Sequence, residues 1–338
     1  MAQSASYSFS FTKEHTSCIK GLAIFFMLFY HLTGSPGRLT QLIPSWYGTS
    51  ITYAFQICVP LFLFMGGFGL YKTYSKKTSF SYRDALKRIF NLYKQYWIIF
   101  FIFVPIGFLF IDYTFHPLEF ISNLLAITCS YNGEWWFLSL YIELLLLFPI
   151  VIRINVNLKY HLLIFLGIFL ITRFLLQIDI WDNDNILIYH SRAFLINFPI
   201  WMLGIIFAKF NIFQLIISKI QDLRLNNILI AFFCLAIPLL GRAYLPMIGV
   251  TEIVLVPVEI IGIIILCEKM NYAKSILYQL GKHSTNMWLI HSFFIFYYWQ
   301  TFLYCFHNTF ISFIVLLILS LSCSILIEQF KKLIEPPR

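Results

Sequence analysis

Two histidines stand inside apolar runs of this 338-residue chain, where an imidazole able to exchange a proton near neutral pH needs a reason to be. The first run reads Cys18-Ile-Lys-Gly-Leu-Ala-Ile-Phe-Phe-Met-Leu-Phe-Tyr-His31. Lys20 and His31 are eleven residues apart. At about 100° per residue that puts them on one helix face, about 16 Å apart along the axis. A late run opens Gly281-Lys-His-Ser-Thr-Asn-Met-Trp-Leu-Ile-His291, in which Ser284 and His291, seven apart, also share a face. Two imidazoles on different helices, both able to point inward, outline a polar chamber suited to proton transfer. Plainer readings stand beside this one: a satisfied structural histidine, and a Lys20 that snorkels to the interface. Glu143 and Glu259 are mid-span carboxylates, for which inward packing against a cation is the corresponding plain account.

The elements that hold these residues must be membrane helices. Apolar residues make up 60% of the chain and charged residues 12%, too few charges to cover a water-facing surface of this size. Apolar runs long enough to span a bilayer fall near 19–35, 51–71, 95–111, 135–152, 160–177, 193–210, 226–241, 250–267, 284–304 and 309–330. The segment around 116–130 is shorter and mixed, and reads as lying on the membrane surface. No soluble-sized polar stretch intervenes, so residues 1–338 read as one membrane domain. The first run lacks a small-residue cleavage site and reads as a retained helix. The seven cysteines are scattered and odd in number, which argues against a disulfide framework or a zinc site; no metal is expected.

Charge orients the bundle. With ten spans, one side holds the N-terminus, the loops at 72–94, 153–159, 209–224 and 269–282, and the C-terminus. That side carries all but four of the 24 basic residues. The other holds Arg38, Arg173, Arg192 and Arg242, with Asp112, Glu119, Glu134, Asp179, Asp182, Asp184 and Glu252. Basic residues mark the cytoplasmic face, so both termini are expected there. The net charge of +9 thus follows topology, and no segment has the basic, aromatic-interleaved face that nucleic-acid binding requires. The stretch from Lys72 to Lys94 holds seven basic residues against Asp84 alone. It serves ordinary topology and attraction to anionic lipid, or else docks a phosphorylated cytoplasmic ligand.

These segments resemble a known family. Lys20-x(10)-His31, with Gly21 and Ala23, is similar to the first-helix motif of the membrane acyltransferase-3 family. Val59-Pro-Leu-Phe-Leu-Phe-Met-Gly-Gly-Phe68 resembles its second helix, with Gly66 where the family usually has Ser. Trp136-Phe-Leu with Pro149 resembles its fourth-helix pattern, with Tyr141 at the usual Glu. Leu280-Gly-Lys-His-Ser284 through Trp288-Leu-Ile-His291 matches its late motif, with Trp for Tyr. Arg88-Ile-Phe fits the basic motif leading into the third helix, with Ala85 where an Arg is expected and Lys87 or Arg83 as stand-ins. The segments come in family order across most of the chain.

The resemblance implies an all-α, polytopic O-acyltransferase. Such an enzyme moves an acyl group, commonly acetyl, from cytoplasmic acyl-CoA to a hydroxyl of a cell-envelope polysaccharide or its lipid-linked precursor. It implies His31 as general base or acyl carrier, and Lys20 as a donor-binding residue. It implies His291 and Ser284 as groups that orient the donor or steady the oxyanion. Arg83, Lys87 and Arg88 are the expected contacts to the CoA phosphates, and Trp136, Glu143 and Arg192 those to the acceptor. The expected location is the plasma membrane of a bacterial cell. The rival readings are a proton-coupled transporter or flippase, which would use the same intramembrane groups, and a structural partner in an envelope-assembly complex, in which they act only as helix glue.

Overall fold

The computed structural model describes residues 9–34, 50, 52–77, 79–111, 114–178, 185–222, 227–245 and 249–334, and among them every regular element is helical. The first half contains α1 (Lys13–Thr33), α2 (Cys58–Tyr74), α3 (Tyr82–Phe110), α4 (Pro117–Leu124), a single 3₁₀ turn (Gly133–Trp135), α5 (Trp136–Val151) and α6 (Leu158–Leu175). The second half contains α7 (Ile186–Lys209), α8 (Ile212–Asp222), α9 (Asn227–Tyr244), α10 (Glu252–Lys269), α11 (Asn271–Ser292), α12 (Gln300–Tyr304) and α13 (Thr309–Ile334). Helices α1, α3, α6, α7 and α9, α2 and α5 with the turns before them, and α13 are long and apolar enough to cross a membrane. The expected span 250–267 coincides with α10, which carries Glu252, Glu259, Glu268 and Lys269. The expected span 284–304 covers only the end of α11, the π-helical turn Phe293–Tyr297 and α12, because α11 starts at Asn271 with the polar Gln279, Lys282, His283 and Asn286 in its length. The chain is an all-α polytopic helical bundle. Helix α4, at eight residues, is about 12 Å long and too short to span.

Three stretches expected as loops are largely helical. Helix α3 begins at Tyr82, inside the basic 72–94 stretch, because Ser81 and Asp84 form a capping box. Helix α8 fills most of 209–224, and α11 takes up most of 269–282. These segments are amphipathic extensions, so an apolar-run criterion stops short of their starts. Of the charges assigned to the outer side, Arg38, Asp112, Asp179, Asp182 and Asp184 lie outside the described residues, as do Arg224 and Arg338 of the cytoplasmic side.

Helix α1 is the axis of the bundle, packed by α2, α10, α11 and α13, with Cys18, Ile19, Ala23, Ile24, Leu28 and Leu32 fully buried. Its closest neighbour is α11. A Cβ at Gly21 would collide with the carbonyl of Leu277, and one at Gly281 with the carbonyl of Ser17. The two backbones therefore touch, the small-residue crossing by which membrane helices gain van der Waals contact. Helices α2 and α7 cross in the same way, Gly67 against Trp201 and Gly204 against Phe64. Outside these pairs, α6 and α9 turn Leu166, Leu170, Phe174, Phe232, Ile237 and Leu240 outward, exposed, as lipid-facing helices do.

The first turn of α1 is tied down. Thr12 Oγ1 accepts from the His15 amide at 3.3 Å, and His15 Nδ1 accepts from the Thr12 amide at 3.1 Å. His15 Nε2 then meets Glu268 Oε1 on α10 at 2.8 Å.

Candidate active site

The α1–α11 crossing brings the two imidazoles together. His31 lies in the last turn of α1 and His291 in the last turn of α11, just before a π-helical turn at Phe293–Tyr297. Such a turn is frequent at functional sites. His31 Nδ1 is 2.6 Å from His291 Nε2, and the rings lie nearly parallel. His291 is fully buried, and its Nδ1 donates to the Trp288 carbonyl at 2.7 Å. On the other edge of His31, Nε2 lies 3.2 Å from Glu134 Oε2.

Glu134 owes its position to a stitched turn. Asn132 Oδ1 accepts from the Glu134 amide at 3.1 Å and from Ser292 Oγ at 2.9 Å. The indole of Trp288 donates to the Glu134 carbonyl at 3.2 Å, and that of Trp135 donates to the Leu289 carbonyl at 3.0 Å. The 3₁₀ turn thus rides on α11, and the carboxylate inherits the rigidity of that helix.

Three cavities bear on these residues, and α1 lines two of them. The outer one, about 510 Å³, is lined by His31 and Glu134 together with Tyr30, Trp136, Arg192 and Phe296. Its wall also includes a buried ion pair, Arg242 Nη1 to Glu252 Oε1 at 3.1 Å, with Arg242 Nη2 donating to Gln56 at 2.7 Å. The pair joins α9 to α10, and both side chains are 1% exposed. The inner cavity, about 400 Å³, is lined by the cations Arg88, Lys282 and Lys331 with one carboxylate, Glu328. A polar chain braces it: Lys331 donates to Gln95 at 2.7 Å, Gln95 to Asn286 at 2.5 Å, and Asn286 to Glu328 at 3.0 Å. Between them is a neck of about 120 Å³ that contains Lys20 and Ser284. Leu92, Tyr141 and Thr285 line both the neck and the inner cavity, and Trp288, whose carbonyl anchors His291, lines the neck.

The expected site residues divide among these spaces. His31, Trp136 and Arg192 reach the outer cavity, with His291 directly behind His31. Lys20 and Ser284 are in the neck, where Ser284 donates to the Gly281 carbonyl at 2.9 Å. Two turns of α11 therefore separate Ser284 from its partner in the motif, His291. Of the three expected phosphate contacts, Arg88 lines the inner cavity, whereas Arg83 and Lys87 are exposed and outside its lining. Glu143 lies outside all three linings and faces His190 at 3.9 Å. Glu259 is fully buried on α10. Sequence reasoning missed Glu134, Lys282 and Lys331 as site residues. The available signal for Glu134 was its position two residues before Trp136.

Two imidazoles and a carboxylate thus meet at the wall of the outer cavity, with the neck between that cavity and the cationic one. A family model described as an acyltransferase domain matches residues 17–329. The chain belongs to the acyltransferase-3 family. Acyl transfer is accordingly its activity class, and a multi-pass membrane protein its form. No curated protein and no solved structure matches the chain. The matched residues of this acyltransferase-3 chain include both histidines, the stitched turn and, Lys331 apart, the linings of all three cavities.

Proposed function

We propose that the chain transfers an acyl group, most simply acetyl, from acyl-CoA to a hydroxyl of a cell-envelope glycan or its lipid-linked precursor, in the plasma membrane of a bacterial cell. The observation that carries this reading is the placement of His31. His31 lines the outer cavity, and its helix runs back to the neck, which shares Leu92, Tyr141 and Thr285 with the cationic inner cavity. Three cations against one carboxylate suit the phosphates of CoA, which Arg and Lys bind by charge-assisted hydrogen bonds. Arg88, Lys282 and Lys331 hold them, and the pantetheine arm passes Lys20 and Ser284 in the neck. The outer cavity offers aromatic faces at Trp136 and Phe296 beside polar groups such as Tyr30 and Arg192, a lining suited to a polyhydroxylated acceptor with apolar ring faces.

A thioester is already activated, so the chemistry needs chiefly a base. The acceptor O–H bond breaks, with its proton passing to His31 Nε2, as the oxygen bonds to the thioester carbon. The C–S bond then breaks, and the CoA thiolate takes the proton back from Nε2. His291 holds His31 in the ring orientation and tautomer that leave Nε2 toward the acceptor.

The test is transfer of radiolabelled acetyl from acetyl-CoA by purified protein in liposomes, with an envelope-glycan extract as acceptor. His31→Ala should lower transfer by about 10²–10⁴-fold with the helical content retained. Transfer at wild-type rate by His31→Ala would remove His31 from the chemistry.

A further inference from the structure

The hydrogen-bond network around His31 fixes where protons lie. A backbone carbonyl only accepts, so the Trp288 carbonyl at 2.7 Å assigns a proton to His291 Nδ1. Neutral His291 then presents a lone pair at Nε2, and His31 Nδ1, 2.6 Å away, must be the donor. That leaves the lone pair of His31 at Nε2, facing Glu134 Oε2 at 3.2 Å. A bare imidazole nitrogen and an ionised carboxylate are both acceptors. With side chains only 10% and 23% exposed, they would repel with little water to screen them. One proton between the two atoms removes the conflict, whichever atom it sits closer to.

We infer that Glu134 completes the base: in the resting site it shares a single proton with His31 Nε2, and during transfer its carboxylate is the counter-charge to the His31 imidazolium. This rests on the reading of His31 as base. As acceptor binds, the shared proton leaves to the outer aqueous side, and the hydroxyl's own proton takes its place between Nε2 and Oε2. The C–O bond forms as the O–H bond breaks. His31 is then cationic, with Nδ1–H directed to His291 and Nε2–H to the Glu134 carboxylate. When the C–S bond breaks, the thiolate removes that proton, and one proton taken back from the outer aqueous side restores the shared state of the resting site. Glu134 acts through His31 and therefore belongs to the positioning of charge, with the effect expected of a carboxylate that stabilises an imidazolium. The arrangement differs from a serine-protease triad in one respect: the carboxylate faces the nitrogen that receives the proton, because a second imidazole already occupies the other.

Glu134→Gln tests this without disturbing the turn, since Asn132, Trp288 and Tyr297 hold that turn through backbone groups of residues 133 and 134. The amide can donate to Nε2 but cannot take a proton or carry charge. The expected result with acetyl-CoA and the glycan extract is a kcat lower by about 10²-fold or more, both KM values within a few-fold of wild type, and partial recovery in Glu134→Asp. Nitrogen-15 NMR of labelled histidine in liposomes gives a second readout. His31 Nε2 should show a protonated or proton-sharing signal in wild type and a bare, accepting signal in Glu134→Gln. An unchanged kcat with a raised acceptor KM would make Glu134 an acceptor ligand only and overturn the inference. A purely bare Nε2 in wild type would also overturn it, even if the variants failed to fold. An inactive His31→Ala beside a fully active Glu134→Gln sinks this inference alone, whereas an active His31→Ala sinks the base reading with it.

Discussion

Helix α1 carries a histidine–carboxylate contact at each end, and the two differ in what surrounds them. At His15 both ring nitrogens are closed by the protein: Nδ1 accepts from the Thr12 amide, and Nε2 donates to Glu268. No cavity described here is lined by His15, and Glu268 is 44% exposed. At His31 one nitrogen is given to a second imidazole, and the other is turned toward a cavity of about 510 Å³. On the reading proposed above, the same pair of residue types serves as an anchor at one end and as a chemical centre at the other. What separates them is whether a ring nitrogen is left for something that arrives.

Substitutions along the same helix and its cavities test that contrast. The His31→Ala loss of transfer is the largest effect. Arg88→Ala comes next: removing one charge-assisted phosphate contact should raise the acetyl-CoA KM about 10–100-fold, leave the acceptor KM unchanged, and weaken the dependence of the donor KM on salt. An Arg88→Ala effect on the acceptor KM instead would break the division of labour between inner and outer cavities. His15→Ala should leave kcat within about two-fold and lower stability by about 1–2 kcal/mol, the combined worth of a cap and a partly exposed ion pair. Thermal unfolding in detergent beside the transfer assay reads both. Loss of kcat with stability intact would place His15 in the chemistry and erase the contrast. Gly66→Ala is the smallest. Its methyl would stand 3.1 Å from the Tyr141 ring edge, a strain of less than about 1 kcal/mol if the ring shifts, so a few-fold change in donor kcat/KM is the most expected.

Much of this was legible beforehand because membrane helices announce themselves by apolar length. The α1 and α11 motifs could be read because buried charge and imidazole are rare in such runs. The inner cavity was harder to see. Taken as a loop, the 72–94 stretch offered Arg88 on its motif, with Lys87 or Arg83 as stand-ins for the Arg expected at Ala85. As part of α3 they separate, and Arg88, Asn91, Leu92 and Gln95 form a stripe at helical spacing that faces the cavity. Arg83 and Lys87 stand four apart on another face, exposed. Glu134 escaped because it sits in one 3₁₀ turn at the edge of an apolar run, where periodicity carries no information. Its contact with His31 depends on a turn held to a helix more than 150 residues away. Lys282 and Lys331 come from α11 and the end of α13, and only tertiary packing gathers them beside Arg88.

A helix does not stretch. Helix α1 runs unbroken from Lys13 to Thr33, so the interval between the Lys20 and His31 backbones, about 16 Å, is set by covalent geometry rather than by side-chain packing. On the reading proposed here, α1 works as a gauge. It passes a donor whose reactive carbon lies one such interval beyond the part held at the neck, and it leaves a truncated thioester short of the imidazole however firmly that thioester binds. Selectivity for the carrier would then be measured in length along one rod, before any contact with the acyl group itself.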